Sequence, residues 1–223
     1  MSTQHVAYGA DPSQFAELTL PQSEWRGVAV LVHGGFWKPE YGIEYARPLV
    51  PSLVDRGWAT WAIEYRRGTG AADTLADVRA AIAACPVRSA TVVGVGHSAG
   101  GHLVTWAAGR DGVLTHVVAQ AGVLDLEPAH RAGLGDGAVE RFLGHPPGPD
   151  DAEVDPVRQA PLGVPVWCVH GRDDEVVPFA QSEAYVAAAG GSAELVPVDG
   201  DHLAVVDPAS TAWARTLEIL EGI

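Results

Sequence analysis

Short apolar runs alternate with helix-like segments along most of the chain. Mostly apolar runs between polar or glycine-containing segments are typical of strands buried in a parallel sheet. Such runs predict strands at 28–32, 58–65, 91–95, 115–119, 164–170 and 193–198. Helix-like segments lie near 43–56, 74–84, 102–108, 179–189 and 209–220. The alternation predicts an α/β fold with a mostly parallel central sheet and helices on both faces.

One stretch, residues 125–161, interrupts this alternation. It is rich in proline and glycine and contains only short amphipathic pieces, such as 137–143. Its place between two predicted strands indicates an insertion, and because about 37 residues cannot build a large lid, we expect a small, partly mobile cover and a rather open pocket. A passive excursion over one edge of the sheet is the alternative. The rest of the chain shows no repeat and no linker, so residues 1–223 are expected to form a single domain.

Composition and charge limit the classes of partner. Hydrophobic residues make up 47% and charged residues 19% of the chain, which is typical of a globular domain. The formal net charge of −14 argues against nucleic acid or an anionic membrane as a partner, because both require basic patches. No signal peptide and no membrane-spanning run are apparent in the sequence. The two cysteines, Cys85 and Cys168, are interpreted as unpaired thiols. We therefore expect a cytoplasmic protein, and the oligomeric state is left open.

The segment Gly-His-Ser-Ala-Gly-Gly at 96–101 carries the strongest chemical signal. It follows a predicted strand and precedes a helix-like stretch, and G-x-S-x-G at such a junction is typical of a nucleophile elbow. The sharp turn strains the serine backbone, which is why glycines flank it, and lifts the hydroxyl beside a helix N-terminus. Ser98 is therefore the candidate nucleophile. A glycine-rich turn with an idle serine is the alternative, and the rest of the chain must decide between them.

An acid and a base follow Ser98 in the chain order Ser, acid, His. His202, on a loop after the last predicted strand, is the candidate base, with a surface histidine as the alternative. Three adjacent carboxylates follow the preceding strand, and we prefer Asp174 because Asp-x-x-Val-Pro places it on the loop before a helix. Asp173 remains the alternative. The chosen carboxylate would fix the tautomer of His202 and stabilise its imidazolium form.

A second glycine motif, His-Gly-Gly-Phe-Trp at 33–37, follows the predicted strand at 28–32. Paired glycines let the backbone approach a substrate and direct N–H groups towards it, although an ordinary tight turn is also possible. His33 is expected to brace this loop rather than to react. Phe36, Trp37 and Tyr41 are candidates for an aromatic wall of the substrate site or for core packing.

These motifs resemble the α/β-hydrolase family and, within it, the small carboxylesterases and kynurenine formamidases (arylformamidases). The resemblance rests on Tyr8-Gly9, Ser13-Gln14, His-Gly-Gly-Phe-Trp at 33–37, Glu64-Tyr65-Arg66, Gly-His-Ser-Ala-Gly-Gly at 96–101, Asp-Glu-Val-Val-Pro at 174–178 and Asp201-His202. It implies an α/β-hydrolase fold with a cap at 125–161. It also implies an oxyanion hole formed by the backbone N–H groups of Gly35, Phe36 and Ala99.

The sequence thus predicts a serine hydrolase that cleaves small esters or amides, some of them aromatic, through an acyl-enzyme. An arylformamidase acting on N-formylkynurenine is the alternative among enzymes, and a ligand-binding receptor without turnover is the alternative of another class. No metal or cofactor is predicted, because no Cys/His cluster has ligand spacing. Further pocket candidates are His97, whose side chain is expected to point away from Ser98, and Val123, Leu124 and Leu126 on the acyl or leaving-group side.

Overall fold

A single mixed sheet runs through the molecule. The computed structural model describes residues 2–22, 24–110 and 112–223, and within them eight strands form this sheet. The strands are β1 (Thr3–Ala7), β2 (Phe15–Thr19), β3 (Gly27–Val32), β4 (Trp58–Ile63), β5 (Val92–His97), β6 (His116–Gln120), β7 (Val166–Gly171) and β8 (Ala193–Val198). Their order is β1-β2-β4-β3-β5-β6-β7-β8, and β4 to β8 run parallel with β3. The predicted mostly parallel sheet is confirmed.

The two antiparallel strands at the N-terminus were not predicted. β1 pairs with β2, and β2 pairs with β4, both antiparallel. Each strand has only five residues, and four of the five in β1 are exposed. An edge strand with so little buried surface has no apolar run, which is why the sequence pattern did not reveal it.

Helices cover both faces of the sheet. The described helices are α1 (Val50–Val54), α2 (Ala71–Ala83), α3 (Ala99–Ala108), α4 (Leu126–Arg131), α5 (Leu134–Leu143), α6 (Ala180–Ala189) and α7 (Thr211–Glu221). α2, α3 and α6 pack on one face, and α1 and α7 pack on the other. The helix predicted over 43–56 is instead two 3-10 turns followed by the short α1, because Pro48 and Pro51 cannot donate backbone hydrogen bonds.

The central strands are buried on both sides. In β3, Val28, Val30 and Val32 face the α2–α3–α6 layer, whereas Ala29 and Leu31 face α1 and α7. This is the two-residue period of a strand, and it explains why the strand is apolar throughout. Because β3 to β8 are parallel, their carboxyl ends meet at one edge of the sheet, where the loops that carry the candidate residues converge.

The insertion at 125–161 is largely folded. It contains α4, α5 and two 3-10 turns, at Pro149–Glu153 and Pro156–Arg158. α5 opens with three residues in the left-handed region, Gly135, Asp136 and Gly137, before regular helix begins. Leu126 and Phe142 join the core on the α3 side, so the insertion packs against the domain. Among the described residues, no helix has the length and apolar character needed to cross a bilayer.

Candidate active site

Ser98 occupies a sharp turn between β5 and α3. Its backbone has φ 54° and ψ −119°, a conformation that costs a non-glycine residue about 1–3 kcal/mol. Three backbone hydrogen bonds hold the turn. Ser98 N donates to Gln120 O (2.8 Å), and Ser98 O accepts from His102 N and Val123 N (both 3.2 Å). The turn therefore has the strained geometry that a nucleophile elbow requires.

Close backbone approaches explain the glycines beside Ser98. A Cβ on Gly96 would lie 2.1 Å from Gly100 O, and a Cβ on Gly100 would lie 2.1 Å from Val32 O. Any side chain at either position would push α3 away from the ends of β5 and β3. Glycine is thus required here to bring the helix N-terminus against the sheet edge.

The Ser98 hydroxyl is buried and makes no hydrogen bond to any described residue, His202 included. His202 nevertheless lies close by, with its ring centroid 4.5 Å from that of His97, the residue before Ser98. Hydrogen bonds between a nucleophile and its base are often long or unformed without substrate. The structure brings the turn of Ser98 and the loop of His202 together at one edge of the sheet, but no hydrogen bond joins the two side chains.

Asp174 and His202 form a direct pair. Asp174 Oδ2 lies 2.7 Å from His202 Nδ1, and Oδ1 accepts the backbone N–H groups of Val176 (2.9 Å) and Val177 (2.8 Å). Because a carboxylate only accepts, Nδ1 of His202 carries the hydrogen, and Nε2 is the free acceptor. The carboxylate of Asp173, by contrast, is on an exposed residue and has no hydrogen-bond partner in the described part of the chain.

The Asp174 carboxyl stays ionised. Burial raises the pKa of this group, but hydrogen bonds from His170 and His202 and from the backbone outweigh burial and hold the pKa below its usual range. Since the folded-state pKa lies below the unfolded value of ~3.9, the ionised group stabilises the fold at neutral pH. That contribution is lost as the pH falls through the folded-state value.

His170, which the sequence analysis treated only as part of a strand, holds Asp174 from behind. Its buried Nε2 lies 2.9 Å from Val177 O and 3.2 Å from Asp174 Oδ2. Both neighbours are acceptors, so Nε2 carries the hydrogen, and Nδ1 accepts from the Ser182 hydroxyl at 2.7 Å. A histidine at the carboxyl end of an apolar strand, four residues before the acid, was the available signal.

His97 supports the loop of the candidate base. Its Nε2–H donates to the His202 carbonyl oxygen at 2.9 Å. Burial, followed by the proximity of His202, lowers the pKa of His97 to about 3, so the ring is neutral near pH 7. The structure thus places His97 as a support of His202, whereas the sequence analysis assigned it to the substrate pocket.

The predicted oxyanion loop runs directly against the elbow. A Cβ on Gly34 would lie 2.8 Å from His97 O and 2.9 Å from Ser98 Cβ. Gly35, Phe36 and Trp37 follow with φ values of 108°, 52° and 55°. The backbone N–H groups of Gly35, Phe36 and Ala99 donate to no acceptor among the described residues. These donors therefore remain available to a ligand on the two segments that meet at Ser98.

Glu64 anchors this loop through His33. Both residues are buried, and His33 Nε2 donates to Glu64 Oε1 at 2.9 Å. Glu64 also accepts the backbone N–H groups of Ile43 and Tyr65, each at 2.9 Å, and pairs with Arg67. The Tyr65 hydroxyl donates to His33 O at 2.9 Å. His33 thus sits where the sequence analysis expected a brace rather than a reacting group.

Four of the seven predicted pocket residues are packed in the core, as Ser98 itself is, so their role in the pocket stays a prediction. Trp37 is buried, with its ring 4.3 Å from that of Phe142 and 5.2 Å from that of His102. Val123, Leu124 and Leu126 have no exposed surface, because the chain turns inward after β6 to begin α4.

An exposed tyrosine pair lies beside the oxyanion loop instead. The rings of Tyr41 (37% exposed) and Tyr45 (48% exposed) are 5.5 Å apart. A Cβ on Gly35 would lie 2.3 Å from Tyr41 Cβ, so Tyr41 rests on the loop. Tyr45, which the sequence analysis missed, lines a crevice of about 10 Å³ together with Gly34 and His97. A larger cavity of about 560 Å³ lies on the insertion and includes none of the three candidate catalytic residues.

The chain is similar to known proteins in sequence and in fold. The sequence profile of the prolyl oligopeptidase family (Peptidase S9) matches residues 54–199, which include Ser98 and Asp174. A truncated carbohydrate esterase from gut microbiota superposes with a TM-score of 0.83 at 19% identity, covering 100% of this chain and 96% of that one. The thermophilic esterase Est2 of the Planctomycetes species Thermogutta terrifontis gives 0.77 at 25% identity, covering 99% and 90%. A comparison with curated proteins gave no significant match.

The anchor of the oxyanion loop generates a stability prediction. Glu64→Ala removes the acceptor of Ile43 N–H, Tyr65 N–H and Arg67 in a buried position. We expect a loss of about 3–5 kcal/mol in the free energy of unfolding, measured by urea denaturation. Glu40→Ala, at an exposed carboxylate without a described partner, should change it by less than about 0.5 kcal/mol. Equal effects of the two substitutions would show that the Glu64 network does not hold the loop.

Proposed function

The chain belongs to the prolyl oligopeptidase family of the α/β-hydrolase clan, and we propose that it is a serine hydrolase cleaving small carboxylic esters. The α/β-hydrolase resemblance noted in the sequence is confirmed, whereas the formamidase branch stays a prediction. The 2.7 Å bond between Asp174 and His202, beside the strained turn of Ser98, carries the proposal. Among the structural neighbours, Est2 of T. terrifontis is described as bound to butyrate and to propionate and as phosphonylated by sarin. These descriptions of a neighbour favour short acyl groups.

The proposed reaction begins with rotation of the Ser98 hydroxyl onto His202 Nε2. His202 takes the hydroxyl proton as Ser98 Oγ attacks the ester carbonyl, and the carbonyl oxygen becomes an oxyanion. The N–H groups of Gly35, Phe36 and Ala99 are proposed to donate to that oxyanion. The intermediate collapses when His202 gives its proton to the leaving alcohol, which leaves an acyl-Ser98. Water, deprotonated by His202, then releases the acid and restores the hydroxyl.

Asp174 has an electrostatic task in this scheme. Its carboxylate faces Nδ1 of His202, so the positive charge that His202 acquires in the transition state meets a fixed negative charge. The depressed pKa of Asp174 keeps that charge present at neutral pH. His170 and the two backbone donors hold the carboxylate in place, so little reorganisation is required during the reaction.

The nucleophile gives the first test. Ser98→Ala should lower kcat for p-nitrophenyl acetate by a factor on the order of 10³–10⁶, because no acyl-enzyme can form. Thermal unfolding should be close to that of the wild type, since the hydroxyl makes no hydrogen bond to a described residue. Retention of most of the activity would remove Ser98 from the mechanism.

The candidate acid, Asp174, can be tested against the adjacent carboxylate of Asp173 as a control. Asp174→Asn should lower kcat by about 10³–10⁴, because an amide can favour the wrong tautomer of His202. Asp173→Asn, one residue earlier and exposed, should stay within about twofold of the wild type. Steady-state rates on one ester at neutral pH suffice, and the opposite ranking would exchange the two roles.

Arylformamidase activity is the second candidate, favoured by the exposed rings of Tyr41 and Tyr45 beside the oxyanion loop. Rings of this kind suit a planar aryl group in the substrate. We expect kcat/KM for p-nitrophenyl acetate to exceed that for N-formylkynurenine, because an ester carbonyl is more readily attacked than a formamide. The opposite order in a side-by-side assay would make formamidase the main activity. A single slow turnover with retained product would favour the receptor alternative.

A further inference from the structure

Two consecutive bulky residues of the oxyanion loop lie in the left-handed region. Phe36 has φ 52° and Trp37 has φ 55°. Large L-residues avoid this region, so a loop that contains two of them persists only if its surroundings hold it there. Since φ at Phe36 also helps to set the direction of the neighbouring N–H groups, whatever holds this loop also aims the donors.

The ring of Phe36 rests on the insertion at Gly135. A Cβ on Gly135 would lie 2.6 Å from Phe36 Cγ and within 2.9 Å of both Cδ atoms. Gly135 reaches this position through the left-handed turn 135–137, and Arg141 fixes the turn by donating to Gly135 O at 2.7 Å. The ion pair of Lys38 with Asp136 (3.7 Å) adds little, because the Asp136 side chain is almost fully exposed.

Trp37 is held by the same insertion and by α3. Its ring stacks on Phe142 of α5 at 4.3 Å and meets His102 of α3 edge-on at 5.2 Å. His102 in turn donates from Nε2 to Val154 O, in the insertion, at 2.9 Å. The loop therefore lies between the insertion and α3, the helix that follows Ser98.

We propose that the insertion braces the oxyanion loop and that Gly135 is a positioning residue, which sets the place of the Phe36 backbone N–H through contact with the Phe36 ring. This inference rests on the proposed function as far as catalysis is concerned. The brace itself is a packing contact, and hydrogen exchange measures it independently of activity. Only glycine fits at 135, because a methyl group there would occupy the space of the ring.

The chain supplies a matched control for this position. Gly133 and Gly135 have φ values of 66° and 58°, so alanine experiences similar backbone strain at both. No heavy atom lies within 4 Å of a Cβ on Gly133, whereas a Cβ on Gly135 meets Phe36. A difference between Gly133→Ala and Gly135→Ala therefore isolates the contact with the ring.

Hydrogen exchange tests the brace without any assay of activity. Lys38 N donates to Gly35 O and Gly68 N donates to Trp37 O, each at 3.0 Å, so both amides report on the loop. Gly135→Ala should speed exchange at Lys38 and Gly68 by about tenfold or more, and Gly133→Ala should leave it unchanged. Equal exchange in the two variants overturns the brace. If Gly135→Ala does not fold, Phe36→Leu should give the same faster exchange, and its failure to do so overturns the brace as well.

Steady-state kinetics test the positioning role. Gly135→Ala should lower kcat by about 10–100-fold with KM within about threefold, because misplaced donors weaken binding of the transition state more than that of the substrate. Gly133→Ala should keep the kcat of the wild type. If the wild type hydrolyses esters and the two glycine variants have the same kcat, the positioning role is wrong. If the wild type hydrolyses none, the proposed function fails, and hydrogen exchange still decides the brace.

Discussion

The contact between the first turn of α3 and the carboxyl end of β3 is the constraint on which the site depends. Gly100 lies so close to Val32 O that no side chain fits between them, and this proximity lets Ser98 occupy a strained turn at the sheet edge. The predicted oxyanion loop begins just after Val32, so the same contact sets the spacing between the candidate nucleophile and the candidate donors. The other features of the site adjust the positions of side chains relative to these two segments, the first turn of α3 and the loop after β3.

Histidines supply much of that adjustment. Five of the nine lie at this edge of the molecule, and four of them act as supports. His33 ties the oxyanion loop to a buried carboxylate, His97 holds the main chain of His202, His102 joins the elbow helix to the insertion, and His170 holds the acid. Burial lowers the pKa of His97 to about 3 and that of His102 to about 4, so both rings serve as neutral hydrogen-bond donors. His202 is left as the candidate for proton transfer.

The sequence predicted features with a strong local signature and missed those created by packing. Apolar runs located six strands, and chain order paired Asp174 with His202, which the structure places in direct contact. The strand β1 escaped because an edge strand buries too little to show a pattern, and β2 escaped because its five residues, Phe-Ala-Glu-Leu-Thr, contain no continuous apolar run. Leu124, predicted to line the pocket, lies fully buried, because proximity in sequence does not show which way a chain turns after a strand. The contact between Phe36 and Gly135 joins residues 99 positions apart, and no local pattern encodes it.

Two parts of the insertion differ in how freely they can change. At Gly135 the backbone touches the ring of Phe36 in the predicted oxyanion loop, so a side chain at this position would displace that loop. Around Gly144 and Gly148, added side-chain atoms would meet nothing within 4 Å. Selection or engineering that enlarges the insertion to admit bulkier molecules therefore has a permissive entry point downstream of α5, where new chain can be added while Ser98, Asp174 and His202 keep their places.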